Sequence, residues 1–282
     1  MGLVSAVTYG VADFFGGLAA KRTAAVVVTA FAAIVGLLFL IPFALLVPAR
    51  ASVEAFLWGG LSGLTGAAAV FLLYAALAIG PMSILSPLTA VLSAIVPMTW
   101  GLLGGERLPW WGYLAIGGVL VAIVLVGFVP EKGAVRPRVR GLIYATLSGF
   151  LIGCFFILVD RAPADSGLFP LVANRAVSGS ILLVVIVVMG VAARRRGVPA
   201  FPGLRGALWL IVACGVADAA ANVLILTALR LGDLTVISVL AALYPAGTIA
   251  LASLVLRERI APVQWVGLAL ALASAAVLAI PA

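Results

Sequence analysis

Apolar runs of about twenty residues recur along the chain, separated by short polar gaps. A helix needs about 20 apolar residues to cross a hydrocarbon core of about 30 Å. Ten runs meet that length: 2–20, 24–47, 55–79, 82–104, 109–129, 141–159, 168–193, 206–229, 232–256 and 262–281. The pattern therefore predicts ten transmembrane helices and no strands. Several gaps carry a Gly or Pro that ends a helix, as in "IGP" at 79–81, "RLP" at 107–109 and "LGD" at 231–233. The gaps are too short to hold a soluble domain.

The longest polar gap, "PEKGAVRPRVR" at 130–140, divides the chain near its middle and invites a search for a repeat. Sliding the second half back by 152 residues pairs Gly63 with Gly215, Ala67–Ala69 with Ala219–Ala221, and Gly80 with Gly232. It also pairs Glu106-Arg107 with Glu258-Arg259; 15 of the 45 pairs from 63 to 107 are identical. An offset of 139 aligns Gly2, Ala6, Gly10 and Arg22 with Gly141, Ala145, Gly149 and Arg161. We read a first five-helix copy over 1–130, a charged linker over 131–140 and a second copy over 141–282. An odd number of spans per copy makes the second enter the membrane from the opposite side. The expected fold is all-α, ten transmembrane helices as two inverted five-helix repeats, with substrate bound near the midplane between them.

Composition agrees: 65% of the residues are hydrophobic and 9% charged, too little polar surface to coat a soluble domain of 282 residues. Lys and Arg outnumber Asp and Glu by 17 to 9. The basic residues fall in the gaps, so they fit membrane orientation better than nucleic-acid binding. Gaps following odd-numbered spans hold twelve of them and the other gaps four, which places both termini outside. There is no histidine and no P-loop, so imidazole chemistry and the usual ATP site are excluded. Cys154 and Cys214 lie in apolar runs and read as packing residues. The first run lacks a preceding basic residue and is followed by Lys21-Arg22, the reverse of a secretory signal, so it is expected to remain as a span.

Against this background the polar residues inside spans stand out, because an ionised acid at the bilayer centre costs on the order of 3 kcal/mol on insertion scales. Asp13 shares one face of span 1 with Ser5 and Tyr9, at i, i+4 and i+8; the same register of span 6 reads Tyr144, Ser148, Ile152. Span 8 carries Asp218 and Asn222 at i, i+4, where the first copy has Gly66 and Val70. Each acid thus appears in one copy only, which a requirement of the shared fold does not explain. A hydrogen-bonded packing role is the alternative for both. Span 4 holds Ser86, Ser93, Pro97 and Trp100, and span 9 holds Ser238, Tyr244 and Pro245. Interior prolines free a carbonyl, here those of Ser93 and Ala241, which is tolerable beside protein or a wet cavity. Arg175, two turns into span 7, reads as a side chain snorkelling to the interface.

The two copies, each with an "AL-x-x-G" turn ("ALAIG", "ALRLG") and a "GER" or "RER" link before its last span, resemble the drug/metabolite transporter superfamily, EamA type, over essentially the whole chain. The resemblance implies a bundle in which spans 1, 3, 4, 6, 8 and 9 surround a central cavity, with metabolite or drug efflux that uses no ATP. Span 1 is also similar to the first span of the small multidrug resistance exporters. Their Ala-Glu-x-x-Gly-x-x-x-x-Lys places are held by Ala12, Asp13, Gly16 and Lys21, with Asp in place of Glu. That likeness implies that Asp13 binds proton and substrate in turn. Eukaryotic members of the superfamily have cytosolic termini, so orientation stays open between the resemblance and the charge count.

The expected function is a proton-coupled secondary exporter of small metabolites, amino-acid-like, or drugs, in a bacterial inner membrane. Asp13 is the coupling residue; Ser5, Tyr9, Ser86, Ser93, Trp100, Asp218, Asn222, Ser238 and Tyr244 are the candidate cavity residues. The expected partners are a small-molecule substrate, protons and the lipid bilayer. No nucleic acid, cofactor or metal is expected, and the protein would be a monomer or weak dimer. An uncoupled facilitator or importer is the alternative within transport, and a membrane scaffold or scramblase the alternative outside it. An enzyme would need a nucleophile and base at helix-facing spacing, and none is found.

Overall fold

The computed structural model describes residues 1–79, 82–127, 138–197, 203–255, 261–278 and 280. Among these the chain forms eleven α-helices and no strand. They are α1 (Gly2–Ala20), α2 (Ala25–Leu46), α3 (Val53–Ile79), α4 (Met82–Leu103), α5 (Trp110–Gly127), α6 (Val139–Asp160), α7 (Phe169–Arg195), α8 (Leu204–Leu229), α9 (Leu234–Ala241), α10 (Tyr244–Val255) and α11 (Pro262–Leu278). Within the described residues, α1, α2, α3, α6, α7 and α8 contain stretches long and apolar enough to cross a membrane, and shorter apolar segments make up the rest. Helices satisfy their own backbone groups, which a bilayer core cannot do. The chain is an integral, multi-pass membrane protein.

One expected span is two helices. The run 232–256 breaks at Ala242-Leu243 into α9 and α10, and the Leu243 N–H turns back to the Leu240 carbonyl at 3.2 Å. Pro245 is the cause, since it has no N–H for the Ala241 carbonyl and its ring disfavours helical geometry at the residue before it. In α4, Pro87 and Pro97 are absorbed without a break.

Apolar burial does not drive helix association in lipid, so close approach depends on small residues. α1 packs on α8 and α10, α3 on α6 and α7, α4 on α6 and α9, α2 on α7 and α8, and α5 on α11. At several crossings a glycine lies against backbone. A Cβ on Gly10 would stand 2.6 Å from the Gly247 Cα, and one on Gly149 would stand 2.6 Å from the Thr89 carbonyl oxygen. Gly63 approaches the Asn174 carbonyl and Gly215 that of Ala32 in the same way, at 2.5 and 2.6 Å.

Loops and buried polar groups brace the bundle. The Glu106 carboxylate accepts from the N–H groups of Leu234 and Thr235, both at 2.9 Å, and so caps α9 from the loop after α4. The Arg230 guanidinium donates to the carbonyls of Gly167 (2.8 Å) and Pro163 (3.3 Å) in the loop before α7. Glu258-Arg259, the second-copy partners of Glu106-Arg107, lie outside the described residues, as do 131–137 of the linker.

Candidate functional site

A cavity of about 180 Å³ opens between α1, α2, α3, α6, α7, α8 and the α9–α10 break. At about 30 Å³ per water it has room for about six waters or a small metabolite. Its walls differ. The polar wall comprises Tyr9 and Asp13 of α1, Asn174, Arg175 and Ser178 of α7, Asp218 and Asn222 of α8, and Tyr244 of α10, with Thr29 of α2 beside it. The other wall is apolar or small: Gly63, Gly66, Ala67, Val70 and Leu73 of α3, with Ile152, Phe155 and Phe156 of α6.

Asp13 lies eleven residues from the start of α1 and seven from its end, about 16 and 10 Å along the axis. It is exposed where it lines the cavity, and among the described residues no hydrogen bond or ion pair reaches its carboxylate. Asp218, by contrast, is paired: its Oδ2 contacts the Arg175 Nη2, the one ion pair among the described residues. Asn222 is fixed from below, its Nδ2 donating to the Asp218 carbonyl at 2.7 Å. The cavity thus holds one carboxylate that no described residue pairs with.

Three polar atoms of lining residues are buried without a partner among the described residues: the Tyr9 hydroxyl, the Arg175 Nε and the Asn222 Oδ1. Buried polar groups are ordinarily satisfied, since leaving one unmet costs about 1–3 kcal/mol. Two donors and an acceptor are thus unmet beneath the surface of one cavity, on residues that line it. Asn174, in contrast, is satisfied, its Nδ2 donating to Ser62 Oγ at 2.8 Å and tying α7 to α3.

Of the candidates named from the sequence, Tyr9, Asp13, Asp218, Asn222 and Tyr244 come together in this cavity. Ser5, Ser93, Ser238 and Trp100 are not among its lining. Ser5 is fully buried and donates to the Ala221 carbonyl of α8 at 3.1 Å. Ser93 and Ser238 turn back on their own helices, to Ala90 at 2.8 Å and Thr235 at 3.2 Å. Trp100 lies at the end of α4, with the Arg161 guanidinium carbon 5.4 Å from its ring centroid. The Ser86 side chain lies outside the described residues. α4 supplies no lining residue among those described, whereas α2 and α7 do, so the ring of spans differs from the one the resemblance implied.

Arg175 corrects a reading of the sequence. It does not snorkel to the interface but turns inward to Asp218. The available signal was an Asn-Arg pair interrupting an apolar run, opposite in charge to an acid on another span; nothing local showed that the two would face each other.

The EamA-like transporter family profile matches residues 139–280, half of the chain. The chain belongs to the EamA-like transporter family. It is thereby a transporter of the drug/metabolite type, a class whose members sit in lipid and bind small molecules. No curated protein matches the chain. Among solved structures, one described as "Crystal structure of protein" superposes on this EamA-like chain with a TM-score of 0.70, covering 99% of this chain and 95% of that one at 18% identity. At that identity the likeness concerns the fold alone.

Proposed function

We propose that this protein is a proton-coupled secondary exporter of small amphipathic metabolites, amino-acid-like, or of drugs, built as two inverted five-helix copies spanning a bacterial inner membrane ten times. The observation that carries the coupling is Asp13, an acid near the middle of α1 that lines the cavity without a partner among the described residues. A carboxylate so placed binds a proton or a cationic group in turn, and neither displaces a structural contact. The second acid, Asp218, is already engaged by Arg175.

The helix pairings support the inverted repeat. Exchanging α1, α2, α3, α4 and α5 with α6, α7, α8, α9–α10 and α11 turns α1 on α8 into α6 on α3. It also turns α2 on α8 into α7 on α3, and α4 on α6 into α9–α10 on α1. Each product is itself an observed pairing. The paired glycines follow the same exchange, Gly10 with Gly149 and Gly63 with Gly215. The cavity then lies between the copies, as inverted-repeat transporters require.

The test is an efflux screen in proteoliposomes under an imposed pH step, together with topology reporters at the C-terminus and in the 131–140 linker. The reading expects substrate movement driven by the step, the linker on the cytoplasmic side and the terminus outside. Substrate movement indifferent to the pH step would favour an uncoupled facilitator, and a cytosolic C-terminus would overturn the orientation drawn from charge.

A further inference from the structure

The Arg175–Asp218 pair is an unusual use of an arginine. Guanidinium carries five N–H donors in a planar fork, and buried pairs are favourable only when the fork is well filled. Here Nη2 alone contacts Asp218, Nε is buried without a partner among the described residues, and the side chain is 13% exposed. Asp218 is the looser member, with its side chain 27% exposed. The Tyr9 hydroxyl and Asn222 Oδ1 are likewise buried without a partner among the described residues, and both residues line the same cavity as Arg175. The stem is accommodated at Gly36 of α2, where a Cβ would stand 3.6 Å from the Arg175 Cδ and 3.3 Å from the Gly215 carbonyl oxygen.

From this arrangement, and resting on the transporter reading above, we infer that Arg175 is the specificity-determining anion receptor of the cavity and that a carboxylate on the substrate displaces Asp218 from it. In the empty carrier Asp218 neutralises the arginine. In the loaded carrier the substrate carboxylate takes the fork bidentately, the geometry in which arginine binds carboxylates best. No covalent bond changes; one ion pair is exchanged for another. Besides Asp218, which contacts Arg175, the titratable and amide groups lining the cavity are Asn222 from α8, Asp13 and Tyr9 from α1, Asn174 from α7 and Tyr244 from α10. A substrate with an amine besides its carboxylate meets Asp13 or the released Asp218 with its positive end. Its apolar body lies against Val70, Leu73, Ile152 and Phe155.

The experiment is calorimetric titration of the full chain in nanodiscs with three probes: L-leucine, 4-methylpentanoate, which keeps the carboxylate without the amine, and leucinamide, which keeps the amine without the carboxylate. Wild type should bind the two carboxylates. Arg175→Gln should weaken both by at least tenfold and change leucinamide by less than threefold, and Arg175→Lys should recover part of the loss. Because Arg175→Gln leaves Asp218 unbalanced and could unfold, the double variant Arg175→Gln/Asp218→Asn replaces the ion pair by a neutral one. It should restore thermal stability but not carboxylate binding. Recovery of carboxylate binding in the double variant, equal weakening of all three probes, or a wild type that binds neither carboxylate would overturn the assignment. Leucine binding to wild type without flux in proteoliposomes would count against the transport reading and leave the receptor assignment standing.

Discussion

The two walls of the cavity are built alike and differ in chemistry. α1 against α8 and α6 against α3 are equivalent pairings under exchange of the two halves. Yet where the first wall carries Asp13, Asp218 and Asn222, the second carries Ile152, Gly66 and Val70 at the positions that the offsets of 139 and 152 make equivalent. What the walls share is the backbone approach: glycines at the crossings and small residues along the seams, as association without a hydrophobic driving force requires. What they do not share is charge. The comparison separates residues that make the bundle from residues that make the site, and suits a substrate with a charged end and an apolar body.

The comparison predicts unequal costs for equivalent substitutions. The largest is Asp218→Ala, which strands Arg175 as an unpaired charge; breaking such a pair costs on the order of 3–5 kcal/mol, and the partial exposure of the Asp218 side chain favours the lower end. Gly66→Ala, the equivalent change on the other wall, should cost under about 1 kcal/mol, because the added Cβ meets the Phe155 ring at 3.7 Å, an ordinary contact, and Ala is the better helix former. Thermal unfolding in detergent ranks the two, and equal costs would contradict the asymmetry.

A smaller and symmetric effect is expected at the shared scaffold. Gly10→Val and Gly149→Val each drive a side chain into backbone, and each should destabilise by about 1–3 kcal/mol, as overpacking does. A large loss at one and none at the other would show that the crossings are not equivalent. The smallest effect on stability belongs to Asp13→Asn. With no partner to lose among the described residues, this variant should unfold within about 0.5 kcal/mol of wild type. A large loss would mark Asp13 as a packing residue after all.

Much of the fold is legible in the sequence because a bilayer leaves the chain few options. Apolar runs of membrane length became helices, and the repeat offsets found glycines that lie at crossings. The break between α9 and α10 was not legible, since Pro245 in span 9 and Pro97 in span 4 look alike as sequence, and only packing decides which helix absorbs its proline. The site was partly legible. Acids inside spans have few places to go but a cavity, and Asp13 and Asp218 are found there. Hydroxyls are less informative, because Ser93 and Ser238 satisfy themselves on the preceding turn of their own helices. Arg175 escaped because its depth fits snorkelling equally well, and its pairing is a long-range fact of α7 against α8.

The central claim is that the unpartnered acid of the polar wall couples transport to protons, and uphill substrate movement in proteoliposomes across a pH step tests it most directly, with wild type beside Asp13→Asn and Asp13→Glu. Asn keeps the size and hydrogen bonding of Asp but does not titrate. The account predicts that wild type accumulates substrate against its gradient, that Asp13→Asn loses accumulation and retains at most downhill exchange, and that Asp13→Glu recovers part of the activity at a shifted pH optimum. Accumulation by Asp13→Asn equal to that of wild type would contradict the account.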